Sequence, residues 1–501
     1  MTTPEDTPGL ALPPLLDEIR PVLVARDTPV YLVGGAVRDA LLGQASHDLD
    51  FVVPEKAIQL AFTVADALNV PAYILDRERD TGRVVLPDLQ TMIDFARFRA
   101  PDLEGDLRDR DFTINAMALP ASAISATAII DPTGGRQDLA AGLIRLTHAA
   151  SLADDPVRAL RALRLAARLH FKLTPDTEMA VAAAAPLLNQ VSPERIRDEL
   201  LKLLLTGAPG TGLAQMAALE LLPVILPEIA ALAGVTQSSP HHEPVLAHTI
   251  SVLRWLAQVE TAVVYQEETV TPALAQAQSL LAPYAAALAA HLSRPVDGGL
   301  HGRTLLRLGA LFHDAGKAET RAEEIVETGE LRIRFFGHDK AGARLAGRRL
   351  RRLRLSNAAI KTVRRIVRGH MRPLYLTQAE KVTRRAVYRF FRDTGEAGLD
   401  IGLLSLADHL ATHDGPGQGG DWERLLAVVA RLFQHYFDAY EETIAPPPLL
   451  GGGELITALD LEPGPEVGRL LRLIEEAQAA GEIETREEAV ELARTAHQRG
   501  P

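Results

Sequence analysis

The segment from Tyr31 to Val53, YLVGGAVRDALLGQASHDLDFVV, constrains the fold more than any other part of the chain. Its apolar runs, glycine pair and helical AVRDALLG stretch predict a strand, a turn at Gly34 and Gly35, a short helix and a second strand. Side chains at positions i and i+2 of a strand point to the same face, so Asp48 and Asp50 should lie side by side. The segment therefore predicts an α/β domain with two acidic side chains beside a glycine turn.

This pair of acidic side chains has a chemical consequence. Two neighbouring carboxylates repel each other unless a cation lies between them, and hard oxygen ligands suit Mg²⁺. Backbone N–H groups at Gly34 and Gly35 can face the phosphates of a nucleoside triphosphate. A lone Asp-x-Asp or Gly-Gly is more often an ordinary loop or turn. Their combination in one ordered unit predicts a nucleotide site in which Asp48 and Asp50 are catalytic and bind Mg²⁺.

Length and composition restrict the class of protein. A chain of 501 residues is too long for one ordinary core, so several domains are expected. The absence of cysteine excludes disulfides and thiolate zinc sites. The N-terminal MTTPEDTPGL is acidic and rich in proline, unlike a signal peptide, and no apolar run has the length of a membrane span. We therefore expect a cytoplasmic protein that does not bind membranes.

The charge of the chain is distributed unevenly. The net charge of −12 argues weakly against a nucleic-acid partner, but the segment from Lys340 to Arg372 is strongly basic and contains almost no acid. Much of this segment has helical spacing. A solvated helix face and a phosphate-binding stripe are the two interpretations.

Changes of pattern along the chain predict its domains. β-rich runs before about residue 148 predict a mixed sheet, and helical spacing follows from about residue 150, with a break at GAPGTG. A Pro- and Gly-rich hinge, APPPLLGGG, opens a tail of amphipathic helices, the last capped by Thr485. The expected segments are an N-terminal extension (1–24), a head (25–148), a neck (149–212), a body (213–444) and a tail (445–501).

Five motifs follow one another in the head and neck. They are GGAVRDALLG with HDLD, RDFTINAMA (110–118), DPTGGRQDLAAGLIR (131–145), DDPVRALRALR (154–164) and VSPERIRDELLKLL (191–204). In this order they resemble the class II tRNA nucleotidyltransferase and bacterial poly(A) polymerase family, within the polymerase-beta-like superfamily. The tail from about residue 450 is similar as well. The resemblance implies transfer of a nucleoside monophosphate to an RNA 3′ end.

The resemblance also implies roles for residues that match the first two motifs. Arg38 is expected to contact the phosphates, with Asp39 orienting its guanidinium. Arg110 and Asp111 are assigned to the ribose and phosphates, and Asn115 supports them. The residue before Arg110 is an aspartate where the family usually has arginine, which concerns the sugar contacts rather than the activity.

Asp94, in the apolar run MIDFARF, is a candidate third catalytic carboxylate. Relatives in the superfamily often place such a carboxylate on a neighbouring strand. The alternative is a salt bridge from Asp94 to Arg97 or Arg99.

The fourth motif is expected to select the base. Asp155 and Arg158 are separated by three residues and would share one face of a helix. A carboxylate acceptor and a guanidinium donor together can recognise the Watson–Crick edge of a base, and the resemblance implies such a protein template for C and A. Arg161 and Arg164 continue this face and would stack on the base or hold phosphates. The alternative is an ordinary salt bridge on a helix surface.

The segment between DFARF and the second motif, RAPDLEGDLRD, is short. Members of the family that add all of CCA usually have a longer flexible loop here, which helps to switch the pocket from C to A. The short segment resembles enzymes that add CC only.

A second set of residues lies downstream and resembles the HD phosphohydrolase superfamily. Adjacent His and Asp on one helix, with distant His and Asp, can surround a divalent metal, and LFHDAGK is the most specific part of the pattern. Lys317 is placed to contact a phosphate. The loop at His241, His242 and Glu243 is either ordinary or part of this site. The candidate ligands of this second metal are His248, His313, Asp314, His338, His370 and Asp408.

These observations combine into one expectation. The fold is an α/β polymerase-beta-like nucleotidyltransferase head with a mixed sheet, followed by an all-α neck, an HD-type helical body and a helical tail. The expected function is template-independent addition of CMP, AMP or both from CTP and ATP to the tRNA 3′ end. A poly(A) polymerase is one alternative, and a metal phosphohydrolase acting on RNA ends or nucleotides is another. A folded HD-type domain without activity is the third.

Overall fold

The computed structural model describes residues 10–44, 46, 48–86, 91–269, 271–325 and 331–499. The chain divides into two compact units, Met1–Ser192 and Pro193–Pro501. Among the described residues, no helix has the length and apolar character needed to cross a membrane.

The first unit combines helices with a sheet. Its helices are α1 (Pro14–Val24), α2 (Gly35–Leu41), α3 (Ala57–Leu68), α4 (Leu103–Arg108), α5 (Gly135–Ala141), α6 (Ser151–Asp154), α7 (Arg158–Leu169) and α8 (Pro175–Ala184). Its strands are β1 (Tyr31–Val33), β2 (Leu49–Val53), β3 (Ala72–Asp76), β4 (Thr81–Leu86), β5 (Thr91–Arg97), β6 (Ala118–Pro120), β7 (Leu143–Ile144) and β8 (Lys172–Leu173).

A six-stranded sheet with the order β3-β4-β5-β2-β1-β6 forms the centre of this unit. It is mixed, because β2 and β5 are parallel and the other neighbours are antiparallel. The register places Asp50 opposite Asp94 on β5 and opposite Val33 on β1. The end of β1, where the glycine turn begins, therefore lies beside Asp50. The predicted mixed sheet is confirmed.

The burial pattern of β2, in which Asp50 alone is exposed, explains why a polar residue is tolerated in this sheet. Leu49, Phe51, Val52 and Val53 are buried, whereas Asp50 is exposed. The ring of Phe51 stacks on that of Phe95, with centroids 5.1 Å apart. Apolar packing on one face thus fixes the strand that presents the carboxylate on the other.

The N-terminal segment, predicted as an extension, joins the head structurally. Helix α1 buries Leu16, Ile19 and Leu23 and packs against α3. Arg20 donates hydrogen bonds from Nη1 to the carbonyl oxygens of Ala121 and, at 3.1 Å, Ala123. This helix is therefore part of the core of the first unit.

The second unit is mainly helical. Its helices are α9 (Pro193–Leu204), α10 (Pro209–Ala218), α11 (Leu222–Ile225), α12 (Pro227–Ala230), α13 (Val245–Val259), α14 (Pro272–Leu281), α15 (Ala285–Ser293), α16 (Gly302–Phe312), α17 (Lys317–Thr320), α18 (His338–Arg352), α19 (Asn357–Gly369), α20 (Arg372–Leu376), α21 (Arg384–Thr394), α22 (Ala397–His413), α23 (Asp421–Asp438), α24 (Gly452–Leu459), α25 (Pro465–Ala480) and α26 (Arg486–Gln498). Its strands form two small hairpins and are β9 (Pro295–Val296), β10 (Leu300–His301), β11 (Ala322–Ile325) and β12 (Leu331–Arg334).

Two local expectations in this unit have different outcomes. The predicted cap of the last helix is confirmed, because Thr485 accepts from the N–H of Glu488 while Glu488 accepts from the N–H of Thr485. The predicted break at GAPGTG is wrong in part, since α10 begins within it at Pro209. Proline is favoured in the first turn of a helix, where its missing N–H is not needed.

Candidate nucleotidyl-transfer site and candidate metal centre

The glycine turn directly adjoins the acidic residue on β2. Gly34 follows β1 with a φ of 73°, a conformation that favours glycine. A Cβ atom built on Gly34 would lie 3.8 Å from Oδ2 of Asp50 and 3.4 Å from Nη1 of Arg110. The turn, the carboxylate and the guanidinium predicted from separate motifs are thus neighbours.

Asp50 experiences strong repulsion in its ionised form. Its pKa is raised to about 6, chiefly by desolvation within the surrounding protein and then by the negative charge of Asp94. Asp48 raises this pKa further, whereas Arg110 opposes the shift. Asp50 is exposed by surface area, so crowding by protein atoms does not seal it from solvent. A cation bound at Asp48 and Asp50 would relieve this repulsion, so the donor set suits a divalent metal.

Asp94 has a partner that the sequence did not indicate. Nε and Nη2 of Arg83 donate to its two carboxylate oxygens, each at 2.7 Å. The alternative of a salt bridge to Arg97 or Arg99 was therefore wrong about the partner, although Asp94 is indeed ion-paired. Its role as a third catalytic carboxylate stays a prediction.

Arg38 is buried and held rigidly. Its Nε and Nη2 donate to Oδ1 of Asp39 at 2.8 and 2.7 Å, and its Nη1 donates to Oδ1 of Asn115 at 2.6 Å. Burial lowers the pKa of Arg38, opposed by the charge and hydrogen bond of Asp39. The geometry agrees with the expected orienting role of Asp39. A Cβ atom on Gly35 would lie 3.4 Å from Nη2 of Arg38, so the second glycine adjoins the same guanidinium.

The second motif and the fourth motif meet at Asp111. This buried carboxylate accepts from the N–H of Phe112, from Nδ2 of Asn115 at 3.1 Å and from Nη1 of Arg161 at 2.9 Å. Burial alone would raise the pKa of Asp111, but the charge and hydrogen bond of Arg161, with the other two donors, lower it overall. Asp111 is therefore ionised at neutral pH. Arg161 thus anchors one motif on another in this structure.

Arg110 lies between two carboxylates. Its Nε and Nη2 donate to Oδ2 of Asp106 at 3.3 and 3.1 Å, while its charge acts on Asp50. Asp106 is buried and also accepts from the N–H of Arg99 at 2.9 Å. Asp106 is a positioning residue that the motif analysis did not identify, because it precedes the motif by one helical turn.

The predicted base-selecting pair does not share a helix face. Asp155 follows α6 in extended conformation, with a φ of −146°, and α7 begins only at Arg158. Arg158 is buried, and its Nη1 donates to Oγ of Ser151 at 2.8 Å while Nη2 donates to the carbonyl oxygen of Asp109 at 3.3 Å. The prediction that Asp155 and Arg158 share one face of a helix is therefore wrong. Contact of Asp155, Arg158 and Arg164 with the base or phosphates stays a prediction.

The second unit brings all six predicted HD-type ligands together. His248, His313 and Asp408 form one group, and Asp314, His338 and His370 form another, with the ligand atoms of each group within 4.8 Å of one another. Among the described residues these are the two such groups of three or more His, Asp or Glu, and the head carboxylates form none.

Helices position these candidate ligands, two from within a helix and four at or next to a helix end. His248 and Asp408 lie on α13 and α22, which pack together, and their side chains approach to 2.9 Å. His313 and Asp314 follow α16, His338 opens α18, and His370 follows α19. A Cβ atom on Gly316 would lie 2.1 Å from the carbonyl oxygen of His338, so only glycine there lets the two segments meet. This explains the glycine in HDAGK.

Hydrogen bonds set the tautomers of three histidines. Nδ1 of His313, His338 and His370 lies 2.7, 2.8 and 2.7 Å from a backbone carbonyl oxygen, which can only accept. Nδ1 therefore carries the hydrogen and Nε2 keeps its lone pair for a metal. The Nε2 atoms of His338 and His370 are 3.2 Å apart, and Nε2 of His313 is buried without a hydrogen-bond partner. These lone pairs fit a divalent metal.

The pKa shifts of Asp314 and His370 support the same conclusion, whereas the charges of Asp314 and Asp408 raise the pKa of His313 despite its burial. Burial alone would raise the pKa of Asp314, but Lys317 and the neighbouring histidines hold it well below its usual range. Burial, and then the charges of His338 and His313, lower the pKa of His370 to about 4. At neutral pH the centre therefore offers an ionised carboxylate and a neutral imidazole. Lys317 lies 2.7 Å from Asp314 and has a second acceptor in Gln237 at 2.6 Å.

The basic segment from Lys340 to Arg372 does not form a single stripe. Arg348, Arg351, Arg352 and Arg354 line a cavity of about 550 Å³ with Pro193. Another cavity, of about 1430 Å³, is bordered by four of the candidate HD-type ligands and by basic residues of the same segment, which are Lys340, Lys361, Arg364, Arg365, Arg368 and Arg372. Arg349 takes part in neither, because it is buried against Glu228, 2.8 Å away. His241 also borders the larger cavity, which makes its loop part of this site.

Comparisons with known proteins agree with these two sites. The Poly A polymerase head domain matches residues 30–145, the probable RNA and SrmB-binding site of polymerase A matches 170–232, and the HD domain matches 282–412. An A-adding tRNA nucleotidyltransferase of Deinococcus radiodurans is 37% identical over 480 residues, which cover 94% of this chain and 96% of that protein. A CC-adding tRNA nucleotidyltransferase of Thermus thermophilus is 34% identical, covering 92% of each chain.

Solved structures show the same fold. A CCA-adding enzyme in an apo form has a TM-score of 0.61 at 22% identity, covering 96% of this chain and 93% of that one. The Thermotoga maritima CCA-adding enzyme, complexed with tRNA, has a TM-score of 0.56 at 21% identity, covering 96% and 95%.

The head with its glycine turn and carboxylates, joined to an HD domain, defines a nucleotidyltransferase of the polymerase-beta-like class. The extent and identity of the match to its relatives show that the chain belongs to the tRNA nucleotidyltransferase family. The resemblance recognised from the five motifs is confirmed.

Proposed function

We propose that the chain transfers a nucleoside monophosphate from CTP or ATP to the 3′ end of tRNA. The sugar hydroxyl attacks the α-phosphorus and releases its proton to solvent, a new P–O bond forms, and the bond to pyrophosphate breaks. The observation that carries this proposal is the contact of Asp50, Arg110 and the Gly34 turn within one site. The full-length relatives named as tRNA nucleotidyltransferases support it.

Different residues of the head are proposed to have different roles in this reaction. Asp48 and Asp50 would hold Mg²⁺, which would neutralise negative charge on the triphosphate during transfer. Arg38 and Arg110 lie on either side of the glycine turn, where fixed guanidinium groups can bind phosphate oxygens. Since phosphoryl transfer depends mainly on positioning and charge, these rigidly held groups suffice without a covalent intermediate.

The nucleotide added is proposed to be cytidine. Between the end of β5 at Arg97 and the second motif the chain folds into α4, capped by Asp102, which leaves no long flexible loop. This short connection is the feature associated above with addition of CC only. The CC-adding relative from Thermus thermophilus supports the proposal. Addition of A is the second candidate, favoured by the relative from Deinococcus radiodurans.

Separate substrates distinguish these possibilities. A tRNA ending before CCA and a tRNA ending in CC are each incubated with CTP alone and with ATP alone. Two cytidines added to the first, and no adenosine added to the second, are expected. Addition of A to the tRNA ending in CC contradicts cytidine specificity, and repeated A addition to an unrelated RNA end points to a poly(A) polymerase.

We propose a second activity at the HD-type centre, the hydrolysis of phosphate esters. The two groups of metal ligands, with histidine lone pairs already oriented, carry this proposal. Water adds to phosphorus, the ester P–O bond breaks, and the alcohol leaves with a proton. His313→Ala with Asp314→Ala should abolish release of phosphate from model esters and leave nucleotide addition intact. Asp48→Ala with Asp50→Ala should have the opposite effect.

A further inference from the structure

The larger cavity of the second unit exceeds what a small phosphate ester needs. Its volume is about 1430 Å³, and Asp314, His338, His370 and Asp408 occupy only part of its wall. Pockets for small ligands are typically about 300–1,000 Å³. The remaining wall therefore has to be explained by a larger ligand.

Much of this remaining wall carries positive charge that is not paired with an acidic side chain among the described residues. On α19 the basic side chains follow one another at helical spacing and are exposed, while Ile360, Val363, Ile366 and Val367 on the opposite face are buried. Other basic residues of the wall have acidic partners, as Arg368 has Asp339 at 3.3 Å. Five do not, since they make no side-chain hydrogen bond or ion pair with any described residue, and these are Arg332, Lys340, Lys361, Arg364 and Arg365.

Two aromatic rings in the same wall are exposed. Phe336 is 77% exposed and Tyr375 is 58% exposed, and both line the cavity. They belong to separate segments, Phe336 two residues before His338 and Tyr375 on α20. A single exposed ring is ordinary on a protein surface, but two rings that line one cavity can contact the same ligand.

We propose that this cavity binds single-stranded nucleic acid, with phosphates on the five unpaired cations and bases stacked on Phe336 and Tyr375. Cationic grooves with exposed aromatic rings are how proteins hold single strands. A mononucleotide has one base for two separate rings, and a duplex keeps its bases hidden. An acidic peptide would satisfy the cations but not the rings. The cavity lies outside residues 170–232, which match the probable RNA and SrmB-binding site of polymerase A.

Binding of a labelled strand tests this inference directly. Fluorescence anisotropy is measured with the full chain and single-stranded RNA or DNA of about 12 nucleotides, a length within the usual site sizes. Phe336→Ala with Tyr375→Ala should weaken binding on the order of 100-fold, about tenfold for each ring. Phe336→Tyr with Tyr375→Phe keeps both rings and should bind normally. Tyr73→Ala, an exposed tyrosine outside the cavity, is the matched control.

The salt dependence of strand binding tests the contribution of the basic side chains. Arg332→Ala with Lys361→Ala should reduce the slope of log K against log salt by about 1.4, because each phosphate contact on a single strand contributes about 0.7. An unchanged slope, or an unchanged affinity in the double aromatic variant, contradicts the inference. An equal loss of affinity for duplex RNA of the same length in the double aromatic variant also contradicts the inference.

The last control separates this cavity from the transferase reaction. Nucleotide addition to tRNA is measured with the double aromatic variant and should stay at the wild-type rate. A parallel loss of nucleotide addition would show that these rings serve the tRNA substrate of the head, and would overturn the inference. If the wild-type chain adds no nucleotide but the strand-binding results hold, the inference stands and the proposed transferase function fails.

Discussion

At the residue scale, Asp50 combines a predicted catalytic role with an ionised form that its surroundings disfavour. Its raised pKa means that the folded protein binds a proton more tightly than the unfolded chain between about pH 4 and pH 6. Stability from this group is therefore present below the unfolded pKa and is lost as pH rises through about 6. The ionised form destabilises the metal-free fold at neutral pH.

Asp50→Asn should consequently raise the thermal midpoint of the metal-free protein at pH 8. The gain should shrink as pH falls through 6 and disappear below about pH 4, where the wild-type carboxyl is neutral in both states. Scanning calorimetry in the presence of a chelator measures it. Asp27→Asn, at an exposed aspartate without a side-chain hydrogen bond among the described residues, is the control. A gain independent of pH would contradict the argument.

A second prediction concerns a buried ion pair in the second unit. Glu260 is fully buried and accepts from Nε and Nη2 of Arg307 at 2.9 and 2.7 Å, and Arg307 also donates to the carbonyl oxygen of Thr206. Glu260→Ala leaves the buried guanidinium without its counter-charge and should lower the free energy of unfolding by about 3–5 kcal/mol. Denaturant titration measures this change.

The matched control for that experiment is an exposed pair. Arg424 and Asp421 also form a salt bridge, but both side chains are exposed. Asp421→Ala should lower the free energy of unfolding by less than about 1 kcal/mol. Equal losses in the two variants would contradict the dominant role of burial.

At this scale the sequence predicted which residues lie in each site better than it predicted which side chains pair with one another. Local patterns predicted that carboxylates lie beside the glycine turn and that the six candidate HD-type ligands lie together. The pairing of Arg161 with Asp111 was not, because 50 residues separate them and no local period links them. The pairing of Arg83 with Asp94 was missed for a related reason, since it depends on the register of β4 against β5.

At the element scale, the third motif shows why two adjacent glycines are not equivalent. Gly134 has a φ of 79°, and a Cβ atom there would meet nothing within 4 Å. A Cβ atom on Gly135 would lie 2.1 Å from the carbonyl oxygen of Thr113, in the second motif. Gly135 thus lets the start of α5 touch the short helical turn Thr113–Asn115, which positions Asn115.

Alanine at these two positions should therefore differ. In Gly135→Ala the new Cβ atom pushes the start of α5 away from the backbone of Thr113, which should destabilise the protein by about 3 kcal/mol or more. Gly134→Ala adds only backbone strain and should cost about 1 kcal/mol. Thermal unfolding of both variants, with nucleotide addition as a second readout, checks this order. A reversed order would show that the contact with Thr113 is not limiting.

The boundary of α7 also shows where sequence reasoning fell short. Helical spacing of DDPVRALRALR indicated that Asp155 and Arg158 lie on one helix. The residue before a proline is biased away from helical conformation, and Pro156 follows Asp155. This signal was present in the sequence and explains the extended backbone of Asp155. Apolar spacing alone cannot place the first residue of a helix.

At the scale of the whole molecule, each compact unit has its own candidate site. The division after Ser192 falls within the segment predicted as the neck, 149–212, and the bounds of the five predicted segments stay predictions. The order of head and HD domain along the chain was evident from motifs. The two small hairpins of the second unit were only partly evident, because two-residue strands such as β9 carry almost no period.

The last prediction concerns metal and the stability of the second unit. A metal that binds only the folded state stabilises it by RT ln(1 + [M]/Kd), about 2.7 kcal/mol at a 100-fold excess over Kd. Asp48→Ala with Asp50→Ala removes the head site, so any remaining stabilisation by Mn²⁺ should come from the HD-type centre. His313→Ala with His338→Ala in that background should abolish the calorimetric shift, because each of the two ligand groups loses one lone pair. A shift that survives these changes would place the metal elsewhere and remove the physical basis for hydrolysis at this centre.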